Sequence, residues 1–237
     1  MKKLLSILLL CAGVFTNLNS AKAQIADPTN MTLGTLIRNF IFPIETYTEI
    51  KGTPYFLDSS FNPSVIYLKD GRRFACDNMR IDLFANKIHF LDNNKVELVV
   101  DDNVVERVVF IRQGVDTIAG FGFSCNYPAI GKNTNQTYYL EENYGKARVL
   151  AYLYKEVTYS KMVTGLFPEK YFQEKKEYFI YNENRMRMER LRKNKEFVLD
   201  ILRDKQTEVS QFISDNNLKC KSVADIVKVF NYYNTLK

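Results

Sequence analysis

Short apolar runs with a period of two, broken at nearly regular intervals by turn residues, fill the chain from Phe61 to Ile111. Such alternation is typical of strands that bury one face. Asp70-Gly71 separates two of these runs, and this dipeptide favours a tight hairpin turn because glycine tolerates positive φ. The segment from Phe74 to Phe84 is too long and mixed for one plain strand, so a bulge or two strands are expected there. The pattern predicts an antiparallel β-meander.

The alternation resumes in the second half of the chain. The run from Ala147 to Tyr159 predicts one strand of about 13 residues, or about 43 Å, which requires strong twist or bending. A further hairpin is predicted around Asn182-Glu183-Asn184. The sequence therefore predicts a mainly antiparallel β protein whose meander is curled or barrel-like.

Helical periodicity flanks this β region. Leu33, Leu36, Ile37, Phe40 and Ile41 predict a short N-terminal helix that stops at Pro43. After Asn194, a favourable N-cap, the period changes to about 3.6, and Ser222 with Asp225 resembles a capping box. These signals predict a C-terminal helical pair, with Asp204 as a point where the first helix could kink or restart.

The first residues have the three parts of a secretory signal. Met1-Lys2-Lys3 is followed by the apolar run Leu4 to Phe15 and by Ala21-Lys22-Ala23, the small-x-small pattern that precedes cleavage. The apolar run is shorter than the roughly 20 residues that span a bilayer, and no later stretch is long and apolar enough. We predict cleavage between Ala23 and Gln24 and export to the periplasm or beyond, with no transmembrane helix after signal removal.

These patterns divide the chain into four parts. Residues 1–23 are the signal peptide, 24–50 an N-terminal segment with the short helix, 51–191 an antiparallel β domain and 192–237 a C-terminal helical tail. Loss of Lys2, Lys3 and Lys22 lowers the formal net charge from +6 to +3. This mild balance does not indicate a nucleic-acid partner.

Cysteine and histidine usage argues against a metal site. Cys76, Cys125 and Cys220 remain after processing without a CxxC or Cys-His spacing, and His89 is the only histidine. We therefore expect neither metal nor cofactor. Two interpretations of the cysteines stay open: a Cys76–Cys125 disulfide in an oxidising compartment, or three reduced cysteines.

No catalytic motif is present, so a non-catalytic protein is expected. His89 lies inside a predicted strand and is interpreted as structural. Asp101, Asp102 and Glu106 are candidate acids by proximity alone, and the first two sit in a turn where Asp is ordinary. The alternative is an envelope hydrolase that uses a carboxylate pair.

Two groups of residues are candidate binding sites. Tyr152 and Tyr154 share a strand face, and tyrosine offers an apolar ring and a polar tip to a ligand. Arg185, Arg187, Arg190 and Arg192 belong to a stretch opposed only by Glu189. On a strand, Arg185 and Arg187 would project together and Met186 and Met188 would pack inward. The arginines either protect a solvated edge strand or contact an anionic surface.

One modification is also predicted. Asp116-Thr117-Ile118 looks like the three-residue O-glycan acceptor found on exported proteins of some Gram-negative bacteria. It lies where exposed loops are expected. An O-glycan on Thr117 is therefore a prediction for the exported protein.

Several segments together carry a family resemblance: the signal, "YFLD", "VIYLKDGRRF", "RIDLF", and the C-terminal "DKQTEVSQFISDNNLK" and "VFNYYN". They resemble a widespread family of exported bacterial proteins of unknown activity, over most of the mature chain. The resemblance implies a β-meander with a helical tail, and it implies no site residues. The expected function is binding of an envelope protein or an anionic surface component.

Overall fold

The computed structural model describes residues 47–113, 118–161 and 167–236. The predicted signal with its Ala23–Gln24 cleavage site, the predicted N-terminal helix and Asp116-Thr117 lie outside the described residues. The chain is mainly β, as the alternation predicts. In the described part, no helix is long and apolar enough to cross a membrane.

Within the described residues, eleven strands form one sheet. Their bounds are β1 Ile50–Lys51, β2 Asn62–Leu68, β3 Arg73–Asp82, β4 Lys87–Leu91, β5 Glu97–Val99, β6 Val105–Gln113, β7 Ile118–Ser124, β8 Tyr139–Glu141, β9 Ala147–Tyr159, β10 Lys170–Asn182 and β11 Arg187–Arg190. The strand order is β1-β10-β9-β8-β7-β6-β2-β3-β4-β5, and β11 pairs with β10. Only β1 is parallel to its neighbour among these pairings, so the sheet is mixed.

The sheet is curled but is not closed into a barrel. The backbone N–H of Lys155 in β9 donates to the carbonyl of Leu83, just after β3, at 3.1 Å, although four strands lie between β9 and β3 in the sheet. The outermost strands β1 and β5 do not pair with each other. The curl encloses the main core, to which β2 contributes Ile66 and Leu68.

The predicted irregularity in the third strand is confirmed. Asn62 pairs with Met79 whereas Ser64 pairs with Cys76, so β3 has one residue more than β2 between these two pairs. Such a bulge bends the strand locally. The first strand, β1, has only two residues and pairs parallel to β10.

Three helices follow the sheet: α1 Lys195–Ile201, α2 Gln206–Asp215 and α3 Val223–Thr235. The predicted caps form, since the side chain of Asn194 accepts from Phe197 N and that of Ser222 accepts from Asp225 N. The first predicted helix is interrupted by a 3₁₀ turn at Arg203–Lys205. The region predicted to form two helices therefore contains three. Their apolar faces pack on β9 and β10 through Ala147, Val149 and Ile180.

The hairpin predicted around Asn182-Glu183-Asn184 forms, since β10 and β11 pair antiparallel on either side of it. The strand β10 begins at Lys170, and a 3₁₀ turn, Glu183–Arg185, precedes β11. Met186 has a positive φ of 48° and is 69 % exposed, while Met188 is buried. Arg185 therefore does not share a strand face with Arg187, and only one of the two methionines packs inward.

Candidate functional site

The predicted tyrosine pair lies on the face of β9 that points away from the helices. Strand alternation places Tyr152 and Tyr154 on this face and Ala151 and Leu153 on the other. The register with β10 sets Tyr152 opposite Glu177. Glu177 thus shares the face with both tyrosines.

The two tyrosine rings are stacked on each other. Their centroids are 4.9 Å apart with an interplanar angle of 18°, and both side chains are half-buried. Lys132, from the loop after β7, places Nζ 4.4 Å from the centroid of the Tyr154 ring. This is within the range of a cation–π contact, so a positive charge lies beside the aromatic surface.

Glu177 connects the tyrosine pair to one of the predicted arginines. The Tyr154 hydroxyl donates to Glu177 Oε1 at 3.1 Å, and Arg190 Nη2 lies 2.9 Å from Glu177 Oε2. Burial and the hydrogen bond to Glu177 raise the pKa of Tyr154 above its ordinary value. We call Lys132, Tyr152, Tyr154, Glu177 and Arg190 the tyrosine patch. It carries two cations and one carboxylate around an aromatic pair.

The tyrosine patch rests on a buried aromatic cluster. Tyr139 contacts Tyr152 at a centroid distance of 5.8 Å and Phe179 at 5.6 Å. Tyr127 packs edge-on against Tyr139. Because Tyr139 and Phe179 are buried, the half-buried tyrosine pair has a rigid support.

The predicted arginine patch is less positive than its local sequence suggests. Arg185 lies 3.6 Å from Asp200 in α1, and Arg190 is paired with Glu177 in β10. Arg187 contacts Glu189 at 3.6 Å, and the guanidinium of Arg192 lies over the ring of Phe197 at 5.6 Å. Asp200 and Glu177, carboxylates from other elements, therefore oppose this stretch in addition to Glu189. Of the four arginines, Arg190 is the one that the described contacts join to the tyrosine pair.

The three described cysteines are free thiols, and Cys76 and Cys125 are not bonded to each other. Burial raises the pKa of Cys125 to about 12 and raises the pKa of Cys76 and Cys220 as well. Among residues 47–113, 118–161 and 167–236, no group of three or more His, Cys, Asp or Glu side chains is arranged to hold a metal ion.

Two of the three candidate acids, Asp101 and Asp102, have structural partners. Asp101 accepts a hydrogen bond from the backbone N–H of Asn103 at 2.9 Å within its turn. Asp102 is buried, forms an ion pair with Lys87 and accepts from the Tyr138 hydroxyl at 3.0 Å. Glu106 is exposed. These contacts stabilise the turn after β5 and the core beside it.

His89 is buried and belongs to a salt-bridged cluster. Its Nδ1 lies 2.7 Å from Glu97 Oε1, and Arg80 donates to both oxygens of the same carboxylate at 2.7 and 2.8 Å. The Arg80 Cζ lies 3.6 Å from the ring centroid of Tyr55 and 4.3 Å from that of Phe61. The structural interpretation of His89 agrees with this position between paired strands.

The described residues also form pockets outside the tyrosine patch. One, of about 420 Å³, lies between α2 and α3 and is lined by Phe212, Asn216, Leu218, Lys228, Asn231, Tyr232 and Thr235. A much smaller one is lined by Phe56, Leu57, Asn62, Arg80, Ile81, Phe110 and Phe121. Neither of these two linings contains a carboxylate, so neither has the paired acids that a glycosidase-type mechanism uses.

Comparison of the chain with protein-family models, curated proteins and solved structures gave no match. The geometry of the chain itself is therefore the basis for a functional proposal.

The sequence indicates Tyr152, Tyr154 and Arg190 as candidate binding residues, but it does not indicate Lys132 and Glu177. The alternation of Lys175, Glu177, Phe179 and Tyr181 is the signal that could have placed Glu177 on the tyrosine face.

Proposed function

We propose that the protein is an exported, non-catalytic binding protein, and that its tyrosine patch contacts another protein or a component of the cell envelope. Export rests on residues 1–23 and on the resemblance to exported bacterial proteins. Binding rests on the tyrosine patch. The proposed partner has negative charge at its contact surface, because the patch has an excess of one positive charge.

The observation that carries the proposal is the joining of Tyr154 and Arg190 through Glu177. Tyrosine and arginine are enriched at the centres of protein interfaces. Here the ion pair fixes the arginine and the stacking fixes the tyrosine before a partner arrives. Preorganisation of this kind lowers the entropic cost of association.

The ion pairs made by the acidic side chains favour a binding function over hydrolysis. A hydrolase needs two carboxylates about 5 to 9.5 Å apart across a substrate site. Asp102, Glu97 and Glu177 are instead each engaged by a cation. These acids stabilise the fold or the patch rather than facing a substrate.

A sedimentation experiment with the envelope fraction tests the proposal. The test variant combines K132Q, Y154A and R190Q. The matched control combines R73Q, Y159A and K161Q, which remove the same types of group from exposed positions outside the tyrosine patch. The protein from Gln24 onward is mixed with envelope membranes at low and high salt, and the bound fraction is measured.

We expect the control to bind as the unchanged protein does and the test variant to lose roughly tenfold or more in affinity. We also expect binding to weaken as salt screens the cations. Circular dichroism and thermal melting establish that all variants fold. Equal binding of folded test and control variants would reject the tyrosine patch as the contact surface.

A further inference from the structure

A second polar cluster lies on the same face of the sheet, around Glu141 in β8. The Glu141 side chain is only 3 % exposed. Its Oε2 accepts from Nε of Arg107 in β6 at 2.6 Å. Its Oε1 is buried and has no hydrogen-bond partner among the described residues, since Arg148 Nη1 lies 4.0 Å away.

The backbone leaves space for this carboxylate. A Cβ on Gly122 in β7 would lie 2.6 Å from Glu141 Oε2 and 2.8 Å from Arg107 Nη2. Real Cβ atoms do not approach other atoms so closely. Glycine at this position therefore allows Glu141 and Arg107 to lie directly on the sheet.

Tyr144 is the exposed member of the cluster. Its side chain is on the turn between β8 and β9 and is 67 % exposed. The ring centroid is 5.2 Å from Cζ of Arg107 and 5.3 Å from Cζ of Arg148. Asn234 of α3 holds this turn, because its Nδ2 donates to the carbonyls of Tyr144 at 3.1 Å and Ala147 at 2.8 Å.

Hydrogen bonds to Gly145 and Tyr127 hold the side chain of Arg148 in place. Arg148 Nε donates to the Gly145 carbonyl at 2.7 Å, and Nη1 donates to the Tyr127 hydroxyl at 3.1 Å. The Tyr127 hydroxyl is in turn 2.7 Å from Ser124 Oγ. Hydrogen bonds therefore hold both guanidiniums in place, and the exposed Tyr144 ring lies against them.

An unpartnered buried carboxylate oxygen is costly, because the group has lost its hydration without gaining a hydrogen bond. The occupant that satisfies it must donate a hydrogen bond to Glu141 Oε1 and accept from the adjacent guanidiniums. A hydroxyl does both, and neighbouring hydroxyls on one ring satisfy several such groups at once. The apolar C–H face of a sugar ring packs against an aromatic ring.

We propose that Arg107, Glu141, Tyr144 and Arg148 form a binding site for a saccharide with adjacent hydroxyl groups. Glu141 Oε1 receives one hydroxyl hydrogen, the two guanidiniums donate to hydroxyl oxygens, and Tyr144 covers the sugar ring. Because Oε1 is buried, the Tyr144 ring turns aside for entry and then closes. This site does not depend on the proposed partner of the tyrosine patch.

The test uses the ¹⁵N-labelled protein from Gln24 onward and the Nε–Hε signals of Arg107 and Arg148. The probes are cellobiose, glucuronate and inorganic phosphate, each titrated separately. We expect saturable shifts of both signals with at least one saccharide, and no saturable shift with phosphate. If phosphate shifts the signals and neither saccharide does, the cluster is an anion site. If neither saccharide nor phosphate gives a saturable shift, water alone fills the space. Either result overturns the proposal.

Variants at Tyr144 test the role of the ring without disturbing the core. Y144A should weaken saccharide binding by about fivefold or more, while Y144F keeps the ring and should bind as the unchanged protein does. Y159A removes a similarly exposed tyrosine at the other end of β9 and is the matched control. If Y144A binds the saccharide with unchanged affinity, Tyr144 does not contact the sugar. If Y159A loses as much affinity as Y144A, the effect is not specific to Tyr144.

Discussion

Tyr154 and Arg190 contact the two oxygens of one carboxylate, that of Glu177. The tyrosine hydroxyl is 3.1 Å from Oε1 and the guanidinium 2.9 Å from Oε2. This relationship joins the predicted tyrosine pair and the predicted arginine stretch, which lie on different strands and are separated in sequence. The patch thus contains one carboxylate, Glu177, and two cations, Lys132 and Arg190, so its net charge is positive.

Gly122 provides a stability test of the Glu141 cluster. We expect G122A to lower the free energy of unfolding by about 1 to 2 kcal/mol, because the added methyl group forces the Arg107–Glu141 pair apart. The atoms it meets are at the ends of side chains, but this carboxylate is buried and paired and therefore moves only at a cost. Urea unfolding measures the change.

G120A is the matched control for this substitution. A Cβ on Gly120 would meet only Val109 Cγ1, at an ordinary distance of 3.5 Å. We expect its unfolding free energy to be unchanged or slightly raised, since alanine loses less conformational entropy than glycine on folding. Equal destabilisation of both variants would contradict the crowding at Gly122.

Glu97 predicts a specific dependence of stability on pH. Burial acts to raise the pKa of Glu97, but the hydrogen bonds from His89 and Arg80 outweigh burial and hold this pKa below its ordinary value of 4.5. A carboxyl whose pKa is lower in the folded state stabilises the fold above its unfolded-state pKa, and this contribution is lost as pH falls through the folded-state pKa.

We therefore expect E97Q to be less stable than the unchanged protein at neutral pH. The difference in unfolding free energy should shrink as pH is lowered below about 4.5. Urea midpoints measured across this range check it, with the exposed E106Q as control. A difference that stays constant down to pH 3 would show that the Glu97 ion pairs do not account for it.

The cysteines provide a chemical test. With a pKa of about 12 for Cys125, only about one thiol in ten thousand is ionised at pH 8, and the thiolate is the reactive form. We expect iodoacetamide to leave Cys125 unmodified in the folded protein. After unfolding without reductant, all three cysteines of the chain from Gln24 onward should be alkylated. Mass spectrometry that finds only one alkyl group would reveal a disulfide.

The N-terminus of the exported protein tests the localisation. We expect intact-mass measurement of protein recovered from the cell envelope or medium to give a chain that begins at Gln24. An O-glycan on Thr117 would add a discrete mass to that value. A chain that retains residues 1–23 would contradict both the cleavage site and the export prediction.

Local patterns explain what could be predicted from the sequence. The alternation from Ala147 to Tyr159 specifies β9 and the shared face of Tyr152 and Tyr154, because side-chain direction in a strand depends only on position. The caps at Asn194 and Ser222 are likewise local, since each bonds within three residues.

The remaining features depend on contacts between distant segments. Alternation along β10 gives the face of Glu177, but the register that sets Glu177 beside Tyr152 depends on pairing with β9 and is not readable from the sequence. Lys132 comes from an irregular loop. Asp200 reaches Arg185 only because α1 packs against the sheet. Pairing between distant elements therefore determines both the charge and the composition of the tyrosine patch.

Site-specific photocrosslinking at position 154 tests the central claim most directly. A photoreactive phenylalanine derivative replaces Tyr154 in one variant and Tyr159 in the control, and both are expressed with their natural N-terminus and irradiated in cells. We predict a discrete crosslinked product from position 154 that is absent from position 159 and is lost when K132Q and R190Q are added. No product at 154, or the same product at both positions, would contradict the proposal that the tyrosine patch binds the partner.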